Sequence, residues 1–401
     1  MPVLARGLAL ALTLALACGC ATLPPAYPRG PAAPAAQLGI WCEFLPYGDV
    51  AATLPDLARH NCELILHIEK EDIGDPALAA LCRAAEREGV PILAWLLLPY
   101  DEHLYLGEYS IEPMRELALR FLDWSAQERL AVKGIALDCE PSPLLGRQML
   151  AELRRFSICG LARLMRTERD PARFAASITR TRAFVDELKA RDLVVMGSAN
   201  RAFLDALHYR NVALQDSLNV SFTMIDWDLA TFITYRYLAT RGGYLAMVKR
   251  YAYLAHAHFG DRAALDLGLT DSHREIPGHR ERAELFGAPA YYQRLLDGIR
   301  DPQQLAEAIG VALGEGVSRI HLFSLDAAVR SAHGLDEWLA SAAAARPRTG
   351  PAAWTPVNSL KTAALAATVE GLYRALVGRT PPPRSDSAAA CPPLPCAPAP
   401  G

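Results

Sequence analysis

The sequence has 401 residues, of which 51% are hydrophobic and 21% are charged, and its formal net charge at pH 7 is -3. This composition allows a sizeable hydrophobic core and excludes global disorder. The charges are nearly balanced and no basic block occurs, so nucleic acid is not expected as a partner. The length permits one large domain or two domains of ordinary size.

The N-terminal residues 1–20 have the features of an export signal. Arg6 supplies a positive charge, and residues 8–17 form an apolar run that is too short to span a bilayer. The end of this segment resembles a bacterial lipobox, in which a cysteine is lipidated; Cys20 is the preferred candidate and Cys18 is the alternative. A plain secretory signal that is cleaved nearby is the other interpretation. We therefore expect a lipoprotein of the cell envelope, anchored in the membrane and facing the periplasm or the exterior.

Both ends of the remaining chain are rich in proline and alanine. Residues 21–37 are predicted to form a disordered tether between the lipid anchor and the folded body. Residues 348–379 are predicted to form a helical extension, because a helical pattern runs through residues 358–377. Residues 380–401 are predicted to form a disordered tail.

Strand-like apolar runs and helical patterns alternate through residues 38–347. Strands are predicted at residues 38–44, 63–68, 91–98, 134–138, 193–198, 219–225, 264–270 and 318–325. Helices are predicted at residues 50–60, 76–89, 112–130, 145–165, 171–190, 229–258, 302–314 and 335–345. This order and length predict an α/β fold, a (β/α)8 TIM barrel. A doubly wound open sheet is the alternative, but no Gly-x-Gly-x-x-Gly follows the first strand to favour a dinucleotide-binding version.

The fourth predicted strand ends in Asp138-Cys139-Glu140-Pro141. Alternate residues of a strand share a face, so Asp138 and Glu140 are expected to point the same way. Neighbouring carboxyls repel each other, which pushes their pKa values apart, so one of them can stay protonated near neutral pH. Such a pair suits general acid catalysis on a sugar bond. Alternatively, the two acids cap the next helix or pair with a basic neighbour.

Polar or aromatic residues follow nearly every predicted strand, and barrel active sites lie at the C-terminal ends of the strands. Carboxylates bind sugar hydroxyls and aromatic rings stack on sugar faces, so this rim predicts a carbohydrate cleft. The candidate substrate-binding residues are Glu43, Glu69, Trp95, Asp226, Trp227, Asp228, Asp271 and Asp326, with Trp41 as a further sugar platform. As structural alternatives, the acids could form salt bridges or cap helices, and the tryptophans could belong to the core.

The segment Gly-Ile-Ala-Leu-Asp-Cys-Glu at residues 134–140 resembles the fourth-strand motif of glycoside hydrolase family 18, which comprises chitinases and related barrels. That motif ends in Asp-x-Asp-x-Glu. The resemblance implies that Glu140 protonates the leaving oxygen and that Asp138 orients the N-acetyl group of the substrate, which attacks the anomeric carbon. It implies hydrolysis of an amino-sugar polymer without a cofactor. The earlier aspartates of the motif fall at Ala136 and Lys133, so only its last part matches.

Two other functions remain open. A metal-dependent barrel hydrolase could take its ligands from His67, Glu69, Asp138, Glu140, Asp271 and His273. A non-catalytic lipoprotein could use the barrel to bind glycans or another envelope protein. The sequence does not indicate an oligomeric state. Our expectation is a glycosidase with a carbohydrate substrate, with Glu140 and Asp138 as its catalytic residues and with neither a metal nor another cofactor.

Overall fold

The computed structural model describes residues 35–155, 157–236, 241–268, 299–348 and 356–380. The predicted leader with Cys18 and Cys20, most of the tether and the tail beyond Thr380 lie outside these ranges, so the lipid anchor stays a prediction. None of the described helices combines the length and the apolar character that a membrane span requires.

The described part of the chain forms a closed barrel of eight parallel strands, β1 to β8, with β1 paired to β8. The predicted (β/α)8 fold is therefore confirmed. The strands are Gln37–Cys42, Glu63–Ile68, Ile92–Leu96, Gly134–Cys139, Val194–Asn200, Leu229–Ile233, Ala263–Gly268 and Arg319–Phe323. Apart from β6, each of them overlaps a predicted strand.

Helices surround the barrel and are numbered here in chain order. The helices from α1 to α6 are Tyr47–Arg59, Pro76–Glu88, Ile111–Gln127, Pro143–Arg154, Ile158–Glu168 and Pro171–Lys189. The helices from α7 to α13 are Ala202–His208, Ala213–Ser217, Arg241–Phe259, Pro302–Gly314, Leu325–Arg330, Gly334–Ala344 and Pro356–Val377. The predicted helix at residues 145–165 is split into α4 and α5, and these two helices follow β4 directly.

The position of β6 corrects our prediction. Residues 219–225 were expected to be the sixth strand, but they form an irregular connection to β6. The side chain of Gln215 accepts hydrogen bonds from the backbone N–H groups of Phe222 and Thr223 (3.1 and 2.9 Å), which satisfies backbone donors without a strand neighbour. The strand is Leu-Ala-Thr-Phe-Ile at 229–233, which we had assigned to a helix, although its β-branched and aromatic residues favour a strand.

The barrel interior is filled by side chains that alternate along the strands with those that face the helices. This inner cluster is buried and mostly apolar. Its members are Trp41, Ile65, Leu93, Trp95, Leu97, Leu104, Tyr105, Ala136, Met196 and Leu229. A larger apolar layer lies between the strands and the surrounding helices. The packed interior leaves the C-terminal ends of the strands as the place where polar side chains can meet a ligand.

The helix α13 packs on the outside of the barrel, against α5, α7 and α9. The hydroxyl of Tyr373 donates to the backbone carbonyl of Ala213 at 2.7 Å, and the amide of Asn211 donates to Glu370 at 2.8 Å. The backbone of Thr380 continues this contact, since its carbonyl accepts from the N–H of Val212 at 2.9 Å. The predicted helical extension is therefore a docked helix, and Thr380, which we had assigned to the tail, belongs to this contact.

Candidate active site at the mouth of the barrel

The strand β4 places Asp138 inside the barrel near its C-terminal end, and Glu140 follows the strand directly. Asp138 is aligned with Ser198 of β5 and is only 8% exposed, whereas Glu140 is half-buried. Among the described residues, the Oδ1 atom of Asp138 has no hydrogen-bond partner. A buried carboxyl oxygen without a partner is unfavourable unless the carboxyl is protonated or a ligand satisfies it.

Both carboxyls of this pair are shifted toward the protonated form. Burial raises the pKa of Asp138 well above its ordinary value, and the charges of Glu140 and Asp266 raise it further. Burial also raises the pKa of Glu140 to about 7, with a second contribution from the charge of Asp266. The pair can therefore hold a proton at neutral pH, which is the requirement for a general acid.

Asp266 on β7 is a member of this site that our sequence reasoning missed. Its carboxyl is 1% exposed and is surrounded by donors from four other strands. These donors are Trp41 Nε1 (3.0 Å), Thr231 Oγ1 (2.8 Å), Ser198 Oγ (3.2 Å) and His321 Nδ1 (3.1 Å). A signal was present in the sequence, because Asp266 interrupts an otherwise apolar strand and His321 lies between two apolar residues of β8.

Four other predicted or candidate residues lie at the ends of β1, β2 and β8. The buried carboxylate of Asp326 accepts from the backbone N–H groups of Glu43 (3.0 Å) and Phe44 (2.7 Å), so it holds the end of β1 against α11. The buried ring of His67 donates from Nδ1 to the carbonyl of Glu43 at 3.0 Å. Its other nitrogen is 3.4 Å from the exposed carboxylate of Glu69, and burial lowers the pKa of His67.

The tryptophans are less exposed than sugar platforms need to be. Trp41 and Trp95 are each 3% exposed and contact each other edge to face, with ring centroids 4.9 Å apart. They form part of the apolar floor of the site. Within the described structure, the buried Nε1 donor of Trp95 has no hydrogen-bond partner. The sequence offers these rings either as sugar platforms or as core residues, and the barrel interior encloses both of them.

The expected positions of Asp226, Trp227 and Asp228 are wrong. These residues precede β6, so they lie at the N-terminal end of the barrel, opposite the mouth. Asp226 forms ion pairs with Lys189 and Arg262, and the Asp228 carboxylate accepts from the N–H of Val195 at 2.9 Å. Trp227 is fully buried and stacks on Phe222. The error in the β6 prediction caused this misplacement, because it reversed which end of the strand these residues follow.

Asp271 and His273 lie outside the described residues, so the structure gives no information on their proposed roles. Within the described ranges, no group of three or more His, Cys, Asp or Glu side chains is arranged to hold a metal ion.

The connection between β3 and α3 closes one side of the mouth. Leu104 and Tyr105 join the inner cluster with the tryptophans, and the N–H of Leu106 donates to the carbonyl of Asp138 at 2.8 Å. Farther along, the buried carboxylate of Glu108 accepts from Nε of Arg173 at 2.6 Å. Leu104, Tyr105 and Glu108 were not predicted to belong to the site, because the contacts of this part of the loop with β4 and α6 are long-range.

Comparisons with known proteins show distant structural similarity only. No protein-family model matches the chain, and no curated protein matches it. Similar solved structures include the chitinase from Chromobacterium violaceum ATCC 12472, with a TM-score of 0.43 and 12% identity, covering 77% of this chain and 98% of the chitinase chain.

The catalytic domain of β-amylase from Paenibacillus polymyxa has a TM-score of 0.45 and 9% identity, covering 79% of this chain and 100% of that domain. A D-psicose 3-epimerase crystallised in the presence of D-fructose has a TM-score of 0.35 and 12% identity, covering 85% of this chain and 99% of the other. Similarity at this level identifies no activity for the present chain, and fold alone does not determine function.

Proposed function

We propose that this barrel hydrolyses a glycosidic bond in an amino-sugar polymer, with Glu140 as the acid/base and Asp138 as its partner. The observation that carries the proposal is that both carboxyls lie at the barrel mouth with raised pKa values. A carboxyl with a pKa of about 7 is protonated in a large fraction of molecules at neutral pH, so it can protonate the leaving oxygen.

Asp138 is the group that would hold the substrate. Its Oδ1 atom has no hydrogen-bond partner in the described structure and lies on the inward face of β4, so it is available to a ligand. In the mechanism implied by the resemblance to glycoside hydrolase family 18, this aspartate orients the N-acetyl group of the substrate. Glu140 then protonates the leaving oxygen and afterwards removes a proton from the incoming water.

The cellular setting is part of the same proposal and is supported by the leader sequence. We propose that the chain is exported and anchored in the membrane through a lipid on Cys20, or on Cys18, with the barrel facing the periplasm or the exterior. An amino-sugar polymer of the envelope is then the substrate within reach of the barrel mouth.

The test is a hydrolysis screen on chitin-type oligosaccharides and peptidoglycan fragments, with Glu140→Gln as the key variant. The substitution keeps the shape and removes the acid, so turnover should fall by about 100-fold or more while substrate binding persists. The matched control is Glu71→Gln, which changes an exposed glutamate outside the site and should leave turnover unchanged.

The same experiment separates the alternatives. Turnover that survives in Glu140→Gln would contradict the proposed acid role. Binding without cleavage by the wild type would indicate a glycan-binding lipoprotein. Stoichiometric metal in the purified protein, together with activity that chelation abolishes, would favour the metal-dependent hydrolase.

A further inference from the structure

The buried carboxyl of Asp266 accepts four side-chain hydrogen bonds in the described barrel interior. The proposed catalytic mechanism assigns no role to this residue. Its four donors come from β1, β5, β6 and β8, at distances between 2.8 and 3.2 Å. An ionised carboxylate only accepts hydrogen bonds, and this shell supplies donors to both of its oxygens. The hydrogen bonds of this shell therefore favour a carboxylate over a neutral side chain at this position.

Stability alone does not explain this charge. The surrounding interior is apolar, with Ile65, Leu93 and Met196 among its residues. Removing a carboxylate from water is costly, and well-packed apolar residues of similar volume often serve the stability of a core equally well. A buried carboxylate with a dedicated shell therefore points to a role for the charge itself.

The position of Asp266 connects it to the catalytic pair. Its Oδ2 atom accepts from the hydroxyl of Ser198, and Ser198 is aligned with Asp138 across the pairing of β4 and β5. The charge of Asp266 is close enough to raise the pKa of both Asp138 and Glu140. Asp266 thus raises the pKa of both carboxyls from across the barrel interior, and it does not need to contact a substrate to do so.

We infer that Asp266 is a positioning residue, which orients Trp41 and His321 across the floor of the site and places a fixed negative charge beside the Asp138–Glu140 pair. The charge opposes ionisation of the pair and so keeps a proton available for transfer. The catalytic significance of this arrangement rests on the proposed function, whereas the electrostatic coupling can be measured without any substrate.

Other polar and titratable side chains lie around the barrel mouth near the Asp138–Glu140 pair. His321 on β8 contacts Asp266 directly, with its Nδ1 atom 3.1 Å from Oδ1 of the carboxyl. His67 at the end of β2 and Glu43 after β1 lie on another side of the mouth, and burial lowers the pKa of His67. From β5 and β6, Ser198 and Thr231 contribute neutral hydroxyls.

The test measures the titration of Glu140 in the full chain by NMR, with 13C label in the glutamate side-chain carboxyls. The signal of Glu140 is assigned by its absence in Glu140→Gln. In Asp266→Asn, which removes the charge and keeps the shape, the titration midpoint of Glu140 should fall from about 7 toward its ordinary value by up to about one pH unit, because burial makes the larger contribution.

A second variant is needed in case Asp266→Asn does not fold, and thermal unfolding will show whether it does. Asp266→Ser removes the same charge and leaves a smaller hydroxyl within the donor shell, so the midpoint of Glu140 should fall by a similar amount. Met196→Leu is the matched control, because it conserves apolar volume on the same inward face of β5 and should leave the midpoint unchanged.

The outcomes are distinct from those of the hydrolysis screen. An unchanged midpoint in folded Asp266→Asn overturns the inference, and if that variant does not fold, an unchanged midpoint in Asp266→Ser overturns it. A lowered midpoint without any cleavage by the wild type supports the charge coupling while the glycosidase proposal fails. Where cleavage is observed, the loss of kcat/KM with rising pH should move down by the same number of pH units as the midpoint.

Discussion

Glu140 has a pKa of about 7 because burial and the charge of Asp266 both oppose its ionisation, and this couples the site to the stability of the fold. The folded-state pKa is raised above the ordinary value of 4.5, so the folded protein holds a proton that the unfolded chain releases between these two pH values. The stabilising contribution is fully present below pH 4.5 and is lost as the pH rises through about 7. Above that range, the folded state carries an unfavourable buried charge.

We therefore expect Glu140→Gln to be more stable than the wild type at pH 8, by about 2 kcal/mol in the free energy of unfolding. At pH 4, where Glu140 is protonated in both states, the two proteins should be nearly equal. Urea unfolding at both pH values measures the difference, and the exposed Glu71→Gln variant serves as the control. An equal effect of Glu140→Gln at both pH values would mean that the buried charge does not destabilise the fold.

At the scale of elements, the junction of β4 and β5 depends on a glycine. A Cβ atom on Gly134 would lie 2.0 Å from the backbone carbonyl oxygen of Val194, a contact that neither strand can relieve without a shift of the backbone. This close approach begins the strand pair that carries Asp138 and Ser198 at its other end. Strain here would move Asp138 as well as loosen the barrel.

Gly134→Ala should therefore lower the free energy of unfolding by about 3 kcal/mol or more, because the added methyl group overpacks a backbone contact. The matched control is Gly371→Ala, since Gly371 lies within α13 and a Cβ atom there would meet nothing within 4 Å. That substitution should stabilise the protein by about 0.5–1 kcal/mol, because alanine favours the helix. Chemical denaturation of both variants tests the pair, and a neutral Gly134→Ala would contradict the close approach.

At the scale of the whole molecule, α13 is an addition to the barrel that covers polar groups beside α7 and α8. Removal of residues 349–401 would leave the amide of Asn211 without Glu370 and the carbonyl of Ala213 without the hydroxyl of Tyr373. We expect a loss of at least about 2 kcal/mol in the free energy of unfolding, because these hydrogen bonds are lost and the apolar surface that α13 buries with Ala363, Ala366 and Val377 is lost from the packed structure.

A shorter truncation provides the control for this prediction. Removal of residues 381–401 keeps α13 and the backbone contact between Val212 and Thr380, so the midpoint of thermal unfolding should stay unchanged. If both truncations leave the midpoint unchanged, α13 does not contribute to the stability of the barrel.

The sequence by itself was sufficient to predict the barrel and the position of Asp138 and Glu140 at the end of a strand, because both depend on local periodicity. Apolar runs alternating with helical patterns predict parallel strands joined by helices, and the Asp-x-Glu spacing places two carboxyls on one face of a strand. The error at β6 arose from the same local reasoning. Polar and apolar residues alternate through residues 219–225 and predict a strand, whereas the backbone N–H groups of Phe222 and Thr223 donate to the side chain of Gln215.

Only the tertiary structure decided which side chains surround that pair. Trp41 and Asp266 are 225 residues apart in the chain, and closure of the barrel brings them within hydrogen-bond distance. A single polar residue within an apolar strand predicts no partner, because its donors lie on strands whose register is set by the packing of the whole barrel. The same closure buries Trp41 and Trp95 in the floor, and it places Asp226 and Asp228 at the opposite end of the barrel from Asp138 and Glu140.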